Sequence, residues 1–359
     1  MATKGTVVGI EKDAFLINGE PTYRGRAYHG MTIEGLLLNA RLVQGVFDDR
    51  NLETRSRWDY PDGPFDPERN TAEFIAMMPA WRAAGLLSFT INLQGGSPEG
   101  YSKTQPWDNA AFTAAGEPEP AYLQRLGRIL DEADRLGMAP ILGLFYFGQD
   151  QRLDDERAVV RAVSAVTDWL IERGDRHVLV EIANEVDVGH YSHEIIRAQR
   201  CHELIELVQA RSAGKLATPA GRLLTSTSMR GGTLPPDPIM RGADFILLHG
   251  NHVSGPDRIR EMVKECRANA AYRGQPILFN EDDHFDFDAD DNHMHAAIGA
   301  YAGWGYFDYR MAGGGFDEGY QSMPVNWQTS SARKRGFFDL LAKITGAGEH
   351  PQEGTGEAS

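Results

Sequence analysis

The sequence predicts an α/β chain folded as a single (β/α)8 barrel, with an N-terminal β-hairpin and long loops between strands and helices. Three observations lead there. Short apolar runs, of the length of strands buried on both faces, alternate with longer helix-like stretches along the whole chain. Gly85, Gly137, Gly174 and Gly274 each stand between a helical stretch and the next apolar run, where a helix commonly stops in a left-handed turn. No glycine-rich phosphate turn follows an early strand, which removes the usual motif of an open doubly wound sheet.

The elements follow in order. Residues 14–23 predict a hairpin around Asn18-Gly19, a strong turn dipeptide, and the segment 1–22 is assigned to it. The first barrel strand is placed at 23–28. The long connection 30–70 predicts a lid-like element, because loops of such length in compact barrels are commonly functional. Helix 71–84 leads to strand 86–93, helix 121–136 to strand 140–145, helix 156–172 to strand 178–183, and helix 194–211 to strand 223–227. A short proline-rich connection without a clear helix leads to strand 245–249. Helix 257–272 leads to strand 277–280 and helix 292–301 to strand 306–309. Helix 331–344 ends a single domain spanning 1–345. The polar, Gly/Glu-rich stretch 346–359 predicts a disordered tail.

With 359 residues the chain can bury a large core, and 42% hydrophobic with 24% charged residues is ordinary for a globular protein. A net charge of −15 argues against nucleic acid or an anionic membrane as a main partner. No run approaches a membrane span and no secretory h-region opens the chain, so a cytoplasmic location is expected. Cys201 and Cys266 fall in helix-like stretches and indicate no disulfide framework.

Barrel chemistry sits at the C-terminal ends of the strands, and two strand ends stand out. Ile182-Ala183-Asn184-Glu185 and Ile277-Leu278-Phe279-Asn280-Glu281 are both apolar runs ending in Asn-Glu, at strands four and seven. A single such glutamate is most often a solvated loop residue. Two at barrel tips suggest a pair of carboxyls acting on one bond, one protonated and one ionised. Around them, His29 at the tip of strand one, Asn92 and Gln94 after strand two, Tyr146 after strand three, and His249 and His252 after strand six are candidate substrate contacts. So are Arg26, and Trp58, Trp107 and Trp327 in the loops. The bland alternatives are core packing, capping and satisfaction of loop backbone. His190 and Tyr191 are further pocket candidates. The run Asp286-Phe287-Asp288-Ala289-Asp290-Asp291 is like a calcium loop, but lacks the central glycine and places Ala297 where the closing carboxylate belongs. His293 and His295 with Asp283 or His284 match no zinc spacing, so no metal and no cofactor is expected.

These motifs resemble those of the clan A glycoside hydrolases, the superfamily that includes the family 5 cellulases and mannanases. The Asn-Glu after strand four, the Glu after strand seven and the Asn-Gly hairpin opening the domain carry the resemblance, over roughly residues 14–345. It implies that Glu185 is the general acid/base, that Glu281 is the nucleophile, and that Asn184 bonds the sugar hydroxyl beside the anomeric carbon. The implied function is retaining hydrolysis of a β-glycosidic bond in a carbohydrate, with exo-action on short glycosides favoured by the long first loop. The sequence departs from the family pattern in three places. Strand two ends in Asn92-Leu93-Gln94 without the arginine that steadies the nucleophile, for which Arg24 and Arg26 are possible substitutes. Strand six ends in His249-Gly250-Asn251-His252, without the usual tyrosine, so that His252 is a candidate donor to Glu281. Glu281 is followed by the charged Asp282-Asp283-His284. Two alternatives stay open: a carbohydrate-binding barrel without catalysis, and a metal-dependent hydrolase using His249, His252 and the acidic loop 282–291.

Overall fold

The computed structural model describes residues 5–102 and 104–348. The tail expected to be disordered falls, from 349 on, outside the described residues. The chain opens with three short antiparallel strands, β1 (Val8–Glu11), β2 (Ala14–Ile17) and β3 (Glu20–Pro21), with Asn18 and Gly19 forming the β2–β3 turn at φ 56° and 82°. A second small hairpin pairs β4 (Ala27–Tyr28) with β5 (Met31–Thr32).

The parallel strands begin only afterwards, with β6 (Asn39–Ala40). Helices and strands then alternate: α1 (Pro67–Ala83), β7 (Thr90–Asn92), α2 (Pro120–Leu136), β8 (Ile141–Phe145), α3 (Glu156–Arg173), β9 (Leu179–Ala183), α4 (Cys201–Ser212) and β10 (Leu224–Ser226). The series continues with α5 (Asp237–Gly242), β11 (Ile246–His249), α6 (Pro256–Ala268), β12 (Ile277–Asp282), α7 (His293–Gly299), β13 (Gly303–Tyr306) and α8 (Ala332–Thr345). Local chemistry sets several boundaries. Asp66, Asp155 and Ser331 accept backbone N–H groups at the starts of α1, α3 and α8. Gly137 and Gly174 end α2 and α3 at φ 69° and 67°.

Strands β7–β10 form one parallel sheet and β11, β12, β13 and β6 another. Single parallel bridges, Arg41 with Thr90 and Ser228 with Leu247, join the edges of the two sheets. One face of the strands grades from apolar to polar along each strand, with the period of two that pleating imposes. Leu37 is followed by Asn39 and Arg41, Leu179 by Glu181, Leu224 by Ser226, Leu247 by His249, and Leu278 by Asn280. The leucines join Leu87 and Ile141 in one buried cluster, and Val8 and Phe15 of the N-terminal strands belong to it, with Phe15 set edge-on to Phe245 at 5.8 Å. The polar tips therefore gather at the opposite end, over an apolar floor. A second, larger core lies between the strands and the helices.

The first barrel strand was expected at 23–28, and this is corrected. His29 and Gly30 take φ 48° and 78°, the two left-handed positions of a tight hairpin turn, so the chain reverses there and His29 is exposed, stacked on Tyr28 at 4.1 Å. His29 is therefore a turn residue away from the strand tips. Arg26 turns toward α8, where Nε donates to the Ile344 carbonyl at 2.9 Å and Nη2 to the Lys343 carbonyl at 2.7 Å. It caps a helix C-terminus, where a cation is favoured. Arg24 pairs with Glu20 at the surface. The lid-like segment 30–70 is corrected with it, since it contains β6 and buries Phe47, Trp58, Tyr60 and Phe65. The connection before β11, where no clear helix was expected, carries the short α5. Within the described residues, no helix is long and apolar enough to cross a membrane.

Arg26→Ala should lower stability by about 1 kcal/mol through the lost helix cap. It should leave turnover unchanged, as denaturant unfolding and steady-state kinetics would check.

Candidate active site

Glu185 and Glu281 meet at the polar end. One oxygen of each, with Nδ1 of His249, forms a group whose atoms all lie within 4.8 Å of one another. The sequence places Asn and Glu side by side at both tips, and a regular strand would send one of each pair to the wrong face. Two different distortions prevent this. In β12 the register against β11 steps from Leu248–Phe279 to His249–Glu281, a bulge that skips Asn280. Asn280 then reaches Glu181 while Glu281 reaches Arg41. After β9 the backbone turns left-handed at Glu185 (φ 51°), so that Asn184 reaches Arg41 and Glu185 reaches His249. A left-handed non-glycine costs on the order of 1 kcal/mol. It is held by Ser228, whose Oγ accepts the Glu185 N–H at 3.0 Å and whose carbonyl accepts the Val186 N–H at 3.0 Å.

Arg41, one residue beyond β6, is fully buried at the centre of this arrangement. Its Nε lies 2.5 Å from Glu281 Oε2 as a close ion pair, Nη2 donates to Asn184 Oδ1 at 2.7 Å, and Nη1 lies 3.9 Å from Glu181. Burial works against its charge, but Glu281 and then Glu181 outweigh burial and hold its pKa above the ordinary arginine value. Glu181 is fully buried below the site, and burial pushes its pKa up despite Arg41. His249, also fully buried, stands 2.9 Å from Glu185 and 3.8 Å from Glu281. Desolvation disfavours its charged form, yet Glu281 and Glu185 together raise its pKa above the usual histidine value.

The donor to the other oxygen of Glu281 is Asn251, whose Nδ2 lies 2.5 Å from Oε1. His252, expected in that role, is exposed at φ 60° and faces Tyr101 at 5.6 Å, so the expectation is corrected. The arginine that meets Glu281 is neither Arg24 nor Arg26 but Arg41, just after β6. Placing that strand at 23–28 hid it, although Leu36-Leu37-Leu38-Asn39-Ala40-Arg41 is an apolar run ending in polar residues like the others.

Above the carboxylates opens a cavity of about 580 Å3, lined by Tyr101, Tyr146, Phe147, His190, Arg230, His252 and Phe307 together with Glu185 and Glu281. Asn92 lies buried at the end of β7, outside the cavity lining, with neither side-chain polar atom partnered. Gln94 accepts the Tyr146 N–H at 3.0 Å and so orders backbone rather than pocket. The three tryptophans are corrected from substrate contacts to core. Trp58, Trp107 and Trp327 are 2%, 0% and 1% exposed. Trp58 donates to Asp49, Trp327 donates to Asn70, and Trp107 packs edge-on to Trp58 at 5.6 Å. Tyr191 is buried too, donating to the Asn184 carbonyl at 2.5 Å.

Asp282 points away from the site and anchors the bulge. Its carboxylate meets Nδ1 of His284 at 2.6 Å and of His293 at 2.8 Å, and accepts from Trp304 Nε1 at 3.0 Å. Burial opposes its charge, and the two histidines outweigh burial to hold the carboxyl below its usual range.

No protein-family model and no curated protein matches the chain. Its fold matches solved structures at low identity. An endo-1,4-beta-mannanase from Rhizomucor miehei aligns at 11% identity and TM-score 0.58, over 95% of this chain and 99% of the mannanase. A glycoside hydrolase family 5 structure from Bacteroides vulgatus aligns at 11% identity and TM-score 0.56, over 93% of this chain and 69% of that one. A broad-specificity endoglucanase from Ruminococcus flavefaciens aligns at 13% identity and TM-score 0.53, over 86% and 95%. The chain spans 61% of the length of a second Bacteroides vulgatus structure that it matches.

Arg41→Lys keeps the charge but loses the fork that spans Glu281 and Asn184. Turnover should fall by on the order of 100-fold, with the fold intact by circular dichroism. Asp282→Asn should cost about 2–4 kcal/mol, read by denaturant unfolding at neutral pH. The Asp282 contribution is present above the unfolded carboxylate pKa of about 4 and is lost as pH falls through the lowered folded value. The gap between wild type and variant should therefore close in acid.

Proposed function

We propose that this chain is a retaining glycoside hydrolase that cleaves a β-glycosidic bond, its two parallel sheets being the halves of one (β/α)8 barrel. The bridges at both sheet edges and the family 5 neighbours support the barrel. The observation that carries the function is the approach of the Glu185 and Glu281 carboxylates to within 4.8 Å at their facing oxygens, at the mouth of a cavity. Retaining glycosidases hold their carboxyl pair about 5–5.5 Å apart, whereas inverting enzymes leave room for a water between them.

In this mechanism Glu281 Oε attacks the anomeric carbon while Glu185 gives its proton to the leaving glycosidic oxygen, and a glycosyl ester forms as the C–O bond breaks. Glu185, now a carboxylate, takes a proton from water. The resulting hydroxide equivalent attacks the same carbon and releases Glu281. Arg41 and Asn251 each contact one oxygen of Glu281, which fixes the line of its attack. Arg41 occupies Asn184 Oδ1, which leaves the Asn184 amide group to donate to the sugar hydroxyl beside the reacting carbon. His249 Nδ1 stands 2.9 Å from Glu185 Oε1 and orients that carboxyl toward the cavity.

The substrate is a β-glycoside whose sugar rings meet Tyr101, Tyr146, Phe147 and Phe307 in the cavity, and cutting a short glycoside from its end is the first reading of its action. The printed descriptions of the mannanase and the endoglucanase name endo-acting enzymes, which favours internal cleavage as the second reading. Release of aryl groups from aryl β-glycosides without loss of viscosity of β-glucan or β-mannan would support end-cutting, and a rapid viscosity drop would reverse it.

Glu185→Ala and Glu281→Ala should each lower turnover by roughly 1,000-fold or more. Azide should rescue the first as a β-glycosyl azide and the second as the α-anomer, distinguished by NMR. Undiminished turnover in either variant would remove that residue from the chemistry.

A further inference from the structure

We propose that Tyr101 is a positioning residue for Glu281, acting through Asn251. The proposal rests on reading Glu281 as the nucleophile. Tyr101 comes from the segment after β7, while Asn251 follows β11 and Glu281 lies on β12. Asn251 is 1% exposed, and its Nδ2 carries two protons toward two acceptors: Glu281 Oε1 at 2.5 Å and the Tyr101 hydroxyl at 2.9 Å. The Tyr101 hydroxyl donates its own proton to Asp283 Oδ2 at 3.3 Å. That assignment makes the tyrosine oxygen an acceptor where it meets Asn251.

The consequence concerns the direction of the Asn251 carboxamide. An amide can rotate by half a turn and exchange its NH2 for its oxygen with little change of shape. Exchange here would set Oδ1 against the Glu281 carboxylate, oxygen against oxygen. Glu281 alone resists that only while it is ionised and free. During catalysis its charge is lost to the glycosyl ester, and the constraint it imposes on Asn251 weakens. The Tyr101 oxygen, with its proton committed to Asp283, still requires an NH2 from Asn251 at that stage. The amide thus stays aimed at Glu281 through both steps, ready to stabilise the carboxylate as it leaves. Asn251 Oδ1 is buried without a hydrogen-bond partner, so nothing else among the described residues fixes the amide by that end. Tyr101 is held for this task by its ring, which packs edge-on to Tyr309 at 4.8 Å and to Phe307 at 5.9 Å. No single side chain does the work: the donor sits on one loop and its orienting hydroxyl on another.

Tyr101 also lines the cavity, so a direct sugar contact is the competing explanation. A double-mutant cycle separates the two, using Tyr101→Phe, Asn251→Ala and the double variant on an aryl β-glycoside that the wild-type protein hydrolyses. Tyr101→Phe should lower kcat on the order of tenfold with KM within about twofold, and should move the acidic limb of the kcat/KM profile to higher pH, as expected when a carboxylate loses a donor. In the Asn251→Ala background the same change should cost nothing further. An equal cost in both backgrounds, or full activity in Tyr101→Phe, would overturn the proposal. If Asn251→Ala unfolds, Asn251→Ser serves as the background. Glu281→Ala is run in parallel: undiminished turnover there refutes the nucleophile itself, whatever the cycle shows.

Discussion

A guanidinium buried out of reach of water organises the polar end of this protein. Removing Arg41 from solvent costs several kcal/mol, and only anions and aligned acceptors can offset that. Glu281 at 2.5 Å supplies the charge, Asn184 supplies an acceptor, and Glu181 supplies a more distant carboxyl. The three come from β12, from just beyond β9, and from within β9, while Arg41 follows β6, so one side chain ties both sheets together at the end where the cavity opens. The stacked apolar floor of leucines below leaves these groups no route to solvent from beneath, so they must satisfy one another.

The second constraint is geometric. A pleated strand sends neighbours to opposite faces, yet both Asn-Glu pairs present both members inward. The chain solves this once with a bulge and once with a left-handed residue. Each device is braced by groups outside the reaction: Asp282 with His284, His293 and Trp304 at the bulge, and Ser228 at the turn. The acidic run after Glu281 thereby acquires a structural meaning. Asp282 is engaged by His284, His293 and Trp304, and Asp283 accepts from the Tyr101 hydroxyl.

Much of this was legible in the chain. The order of most helices and strands from residue 67 onward follows from period and glycine placement, because the strands are buried on both faces and α2, α3 and α8 stop at a left-handed glycine, whereas α5 and α6 end in extended backbone at Ala243 and Asn269. The two carboxylates were legible because both end apolar runs. The first strand was not, since Tyr23 to Tyr28 also looks extended while the true strand is only two residues long by its pairing. That single displacement carried Arg41 into a loop and promoted Arg26 and His29 to a site they do not join. The tryptophans failed for another reason: an aromatic side chain in a loop packs into the core or faces a sugar with the same local sequence, and only the surrounding chain decides which.

By itself the sequence determined the alternation of elements, the apolar-to-polar grading of the strands and the positions of Asn184-Glu185 and Asn280-Glu281, because these depend on hydrophobic period and on residues adjacent in the chain. Tertiary structure alone decided which cation meets Glu281, which amide donates to it, and which hydroxyl orients that amide. Arg41, Asn251 and Tyr101 are brought to Glu281 from three separate strand ends, and no local rule of spacing records a contact made across the top of a sheet.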